Sequence, residues 1–72
     1  MRLGEALRHA RAAADLTQEQ LAFRARVSRN YVSLVELDEK SPTIATLARI
    51  CQALGVRVSK LVEDAERRSA RR

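Results

Sequence analysis

Arg29 and Asn30 follow Ser28 directly in the segment "AFRARVSRNY", residues 22–31. An arginine fork can hold guanine O6 and N7 with two hydrogen bonds, and asparagine can do the same at adenine N6 and N7. Both side chains need a thin carrier that enters a major groove. A short helix bearing them in its first turn is such a carrier. Ser33 and Leu34 recur on the face this helix exposes, with Tyr31 at its edge. Gln18 and Ser28 stand at two candidate helix starts, where side-chain and backbone donors can reach phosphate oxygens. Arg29 and Asn30 fit an ordinary solvated helix turn equally well, so the surrounding elements carry the decision.

Those elements read as helices throughout. Leu3, Leu7, Ala10 and Ala14 share one helical face over residues 3–14, with Arg11 beside it where a charge is not expected. Thr17 opens the next segment, and Gln20 three residues on completes a capping box. Leu21, Ala22 and Ala25 give that segment, residues 18–25, a short apolar side. Ser28 caps a third helix reaching Leu37, with Val32 and Val35 on its inner side and Val27 as a staple. Two short helices joined by about three residues turn sharply, which is a helix-turn-helix arrangement. "DEKSP" is a loop, since Pro42 forces Ser41 into extended geometry. Thr43 then caps a helix with Ile44, Leu47, Cys51 and Leu54 on one stripe, widened by Ala48 and Ile50, and Gly55 ends it. Ser59 caps a last short helix carrying Leu61, Val62 and Ala65. Beyond Glu66 the apolar pattern is gone.

With 72 residues the chain holds one domain and a small core. The apolar fraction is 46%, yet Phe23 and Tyr31 are the only aromatics and Gly and Pro are scarce, so the fold class is all-α. Fourteen basic residues against nine acidic ones, a formal +5, favour a polyanionic partner. Four of the arginines, Arg67, Arg68, Arg71 and Arg72, crowd the end of the chain. Residues 1–66 are therefore read as the domain and 67–72 as a basic tail, either disordered or a phosphate-contacting arm. Cys51 is the single cysteine and His9 the single histidine, which excludes an internal disulfide and argues against a metal site or cofactor. Cys51 is expected in the core and His9 on the surface. No Gly-rich phosphate loop and no nucleophile–base set is present, so an enzyme is not expected. The N-terminus lacks an apolar signal region, and no run approaches a membrane span. A soluble, cytoplasmic protein is expected.

Three stretches, "LTQEQLA", "VSRNYVSLVE" and "PTIATLARICQALGV", in this order and spacing, closely resemble the phage-repressor-like helix-turn-helix family of Cro and Xre type. The likeness covers roughly residues 3–65. It implies a compact five-helix domain whose third helix reads the major groove, acting as a homodimer on a roughly palindromic operator in double-stranded DNA. By position it implies base reading by Arg29, Asn30, Ser33 and Leu34. It implies phosphate contacts by Gln18, Ser28 and Tyr31, and a pair between Arg11 and Glu36 that ties the first helix to the end of the third. Relatives commonly carry glycine where this chain has Asp15, Arg26 and Asp38. Arg26 is accordingly expected at positive φ, with its guanidinium outward and a cost of about 1–2 kcal/mol.

The leading expectation is a transcriptional regulator, a repressor or an autoregulatory controller such as those of restriction–modification systems. The alternative is an antitoxin-type module that binds a toxin partner and uses its helix-turn-helix secondarily. Val56, Val58, Leu61, Val62 and Ala65 form the expected dimer surface, unless they only complete the monomer core.

Overall fold

The computed structural model describes residues 2–70. Five helices follow one another: α1 (Leu3–Ala13), α2 (Gln18–Ala25), α3 (Arg29–Glu36), α4 (Ile44–Leu54) and α5 (Val58–Ala70). Side-chain hydroxyls start three of them. Thr17 accepts from the Gln20 N–H at 3.0 Å while the Gln20 side chain accepts from the Thr17 N–H at 2.8 Å. Ser28 accepts from Tyr31, and Thr43 from Thr46. Each bond satisfies a first-turn donor that has no partner within the helix.

The first four helices all stop in the same way. Each closes through a left-handed residue: Asp15 (φ 60°), Arg26 (φ 63°), Asp38 (φ 59°) and Gly55 (φ 74°). In each, the next N–H reaches back five residues, from Leu16 to Arg11, Val27 to Ala22, Glu39 to Leu34 and Val56 to Cys51. This is the double closure that usually recruits glycine, because a Cβ is disfavoured at positive φ. Here three of the four stops carry a side chain.

α1 packs against α3 and α5, and α2 against α3 and α4. Leu7, Leu16, Leu21, Ala22, Ala25, Val32, Val35, Ile50 and Leu54 form one buried cluster, with Val27 packed against it. Ala6, Leu47, Cys51, Leu61 and Ala65 form a second under α5. Burial raises the Cys51 thiol pKa, so it stays a neutral core group.

Four sequence expectations change. Ile44 is 75% exposed and Ala48 is exposed as well. At about 100° per residue, Leu47, Ile50, Cys51 and Leu54 share a narrow face, and Ile44 and Ala48 fall on its flank. Ser59 lies inside α5, which begins at Val58 with the Leu61 N–H bonded to the Arg57 carbonyl. The helix also passes Glu66 and runs to Ala70, so the first part of the segment read as a tail is helical. Arg68 donates to Asp64 one turn back at 2.9 Å and lies 3.8 Å from Glu5 of α1, which holds that last turn down. Arg71 and Arg72 lie outside the described residues. Finally, Leu61 and Ala65 are buried against α1 and α4. They complete the monomer core and leave the proposed dimer surface to Val56, Val58 and Val62.

Candidate nucleic-acid interface

α3 presents its first turn to solvent. Arg29 and Asn30 are exposed, while Ser33 and Leu34 on the next turn are half-buried. The Ser28 oxygen is engaged as the cap, which leaves its O–H proton free to donate. Tyr31 is half-buried against the first core cluster, with the Lys40 ammonium 6.0 Å from its ring centroid. Lys40 therefore sits at the outer edge of the same helix.

The end of α3 is fixed from two directions. Arg11 Nε donates to Glu36 at 2.6 Å, and a terminal nitrogen of Arg11 donates to the other carboxylate oxygen at 3.1 Å. The Gln18 amide adds a third bond to Glu36 at 3.0 Å, and Arg11 also donates to the Leu16 carbonyl at 2.9 Å. Glu36 is 4% exposed and Arg11 17%. The hydrogen bond from Arg11 to Glu36 outweighs desolvation and raises the Arg11 pKa, so the guanidinium stays charged. A buried pair of this kind need not add net stability, but losing one partner strands the other. Its geometric effect is direct, because Glu36 ties the start of α2 and the last turn of α1 to the end of α3.

The second direction involves Gly4 and Asp38. A Cβ on Gly4 would lie 2.3 Å from the Glu36 carbonyl oxygen, so α1 can sit on the end of α3 only with glycine there. The Gly4 N–H donates to the Asp38 carboxylate at 2.9 Å. α1 has no side-chain cap of its own at Arg2, and Asp38 supplies one from the far end of α3. Sequence reading missed both roles. The only signal was a glycine within an otherwise regular helical pattern.

Arg11, Asp15, Thr17, Gln18, Glu19 and Arg29 line one open cleft of about 540 Å³, together with Ala12 and Leu16. The start of α2 and the first turn of α3 thus face a common space. Arg11 is spent on Glu36 and the Leu16 carbonyl. The free first-turn N–H groups, the Arg29 guanidinium and the remaining Gln18 amide donor are therefore what can meet an anionic backbone there, beside the carboxylates of Asp15 and Glu19. His9 is exposed, and among the described residues no group of His, Cys, Asp and Glu could hold a metal.

The family described as helix-turn-helix matches residues 7–61. The chain belongs to this family, in its Cro/Xre type. An immunity repressor of Bacillus phage phi105 is 39% identical over 64 residues, covering 89% of this chain and 44% of the repressor. Among solved structures, the clp gene regulator ClgR of Corynebacterium glutamicum superposes with a TM-score of 0.92 at 37% identity, covering 99% of this chain and 92% of that one. The restriction-modification controller protein C.AhdI of Aeromonas hydrophila gives a TM-score of 0.81 at 32% identity, covering 83% and 91%. The chain spans 44–62% of the length of the first curated relatives it matches. Relatives of this family and fold are thus named as an immunity repressor, a gene regulator and a restriction-modification controller. Among the described residues no helix is long and apolar enough to cross a membrane.

Proposed function

We propose that this helix-turn-helix domain binds double-stranded DNA sequence-specifically as a homodimer on a roughly palindromic operator and acts as a repressor or autoregulatory controller. The observation that carries the reading is the shared cleft between Gln18 and Arg29, backed by Glu36. Arg29 and Asn30 read base edges, Ser33 and Leu34 add contacts along the groove, and Gln18, Ser28 and Tyr31 hold phosphates. Relatives named as an immunity repressor and a restriction-modification controller support the regulatory sense.

Half-exposed Val56, Val58 and Val62 are the remaining apolar candidates for the contact between copies. A small cleft of about 150 Å³, lined by Ala10, Val56, Lys60, Leu61 and Asp64, offers a seat for one partner side chain. A dimer would set its two reading helices about 34–36 Å apart, one duplex turn.

Binding to duplex DNA across a salt series tests the reading. Affinity should fall steeply with salt, because each neutralised phosphate releases counterions. Arg29→Ala should cost about 1–3 kcal/mol and relax one base position, whereas Gln18→Ala should weaken all sequences alike. An unchanged site preference in Arg29→Ala would remove that residue from the base readers. The antitoxin-type alternative draws on exposed Phe23, Leu37 and Ile44. It requires a tight toxin partner, an apolar surface left exposed in the isolated dimer, and DNA-binding autoregulation as a secondary role.

A further inference from the structure

A basic cleft lies away from the reading face. Arg24 and Arg26 at the end of α2 and Arg49, Gln52 and Ala53 on α4 line a volume of about 330 Å³. It is separated from Gln18 by the length of α2, about 12 Å for eight residues. No acidic side chain lines it. Among the described residues, none of its three arginines has a carboxylate oxygen within 4.0 Å. Arg49 is pre-oriented, since its Nε–H donates to the Ala25 carbonyl at 3.1 Å. That bond spends one donor and leaves both terminal nitrogens of the fork available.

We propose that this cleft binds a small ligand carrying a phosphate or diphosphate group. Three guanidiniums and one amide, with no acid among them, match a multiply charged phosphate by sign and by donor type. The site is independent of the reading face, and its charge exceeds what a single phosphodiester of duplex DNA can neutralise. Like charges gathered in one cleft repel until an anion enters. A ligand there would bridge α2 and α4 beside Arg26, the residue that turns the chain into α3.

Calorimetric titration of the full chain with sodium pyrophosphate, at constant ionic strength, tests the proposal. Saturable binding at one site per chain is expected. The double variant Arg24→Ala/Arg26→Gly should weaken it at least tenfold (roughly 1.4 kcal/mol per tenfold), and Arg29→Ala should leave it within about twofold. Arg26→Gly suits the left-handed turn, so folding is preserved, and a thermal melt of the double variant checks this. Failure to saturate would overturn the proposal, as would a double variant within twofold of the parent. Equal loss in Arg29→Ala would place the anion at the reading face instead. A double variant that only lowers the salt slope of duplex binding would assign the cleft to DNA phosphates and overturn the free-ligand site.

Discussion

Replacing Arg26 by glycine should stabilise the protein. Arg26 sits at φ 63°, ψ 42°, and both bonds that close α2 there are backbone bonds, from Arg26 to Phe23 and from Val27 to Ala22. Glycine keeps both. Relief of the left-handed Cβ conflict is worth about 1–2 kcal/mol. The greater freedom of glycine in the unfolded chain takes back about 0.4–1 kcal/mol. The net gain lies between about 0 and 1.6 kcal/mol with a midpoint near 0.8, or roughly 3–6 °C in melting temperature for a domain of this size. Asp38→Gly is the internal control. It relieves the same conflict at φ 59° but removes the carboxylate that receives the Gly4 N–H. A lost helix cap costs about 0.5–2 kcal/mol, so Asp38→Gly should be neutral to destabilising. Urea and thermal unfolding of both variants supply the numbers. A destabilised Arg26→Gly would refute the strain account of the α2 stop. Equal gains in both variants would show that Asp38 contributes nothing as the cap of α1.

Two further outcomes follow from the clamp around α3, and a third from the ion pairs at the end of α5. Glu36→Ala strands a guanidinium that is 17% exposed, and a loss of about 3–5 kcal/mol is expected in urea unfolding, together with weaker DNA binding. Gly4→Ala should destabilise by roughly 1–3 kcal/mol through overpacking against the Glu36 carbonyl, although alanine otherwise favours a helix interior by about 0.5–1 kcal/mol. Acid should loosen the α5 contact with α1. The hydrogen bond from Arg68 holds the Asp64 carboxyl below its usual range, helped by the charges of Arg68, Arg67 and His9 and opposed by desolvation. A depressed carboxylate contributes fully above the unfolded pKa of about 3.9 and loses its contribution as pH falls through the lower folded value. Melting temperatures of the parent and Asp64→Asn should therefore converge below pH of about 4, and parallel curves across that range would remove Asp64 from the acid response.

What the sequence made legible was mostly local. Thr17, Ser28 and Thr43 carry hydroxyls at the positions that need them, so three helix starts could be read to the residue. The stops were harder, because Asp15, Arg26 and Asp38 do not announce a left-handed turn as Gly55 does. Only the family resemblance marked them. Arg11 looked misplaced beside an apolar stripe, and its reason lies 25 positions away in Glu36. The extent of α5 was hidden because its last turn is held by ion pairs rather than by apolar spacing. Leu61 and Ala65 could serve a dimer or a monomer core equally on sequence grounds, and only the packing of α5 on α1 and α4 decides between them. At the reading face, the pattern Ser28-Arg29-Asn30 was visible at once. The shared cleft with Gln18, which gives that pattern its meaning, depends on the fold.

Whether the domain reads sequence as a dimer is decided by selection from random duplexes with the purified protein, with its mass in solution measured alongside. An enriched, roughly twofold-symmetric site with half-sites about 10–10.5 base pairs apart, bound by two chains, is expected. No enriched sequence after repeated rounds, with duplex affinity indifferent to salt, would contradict it.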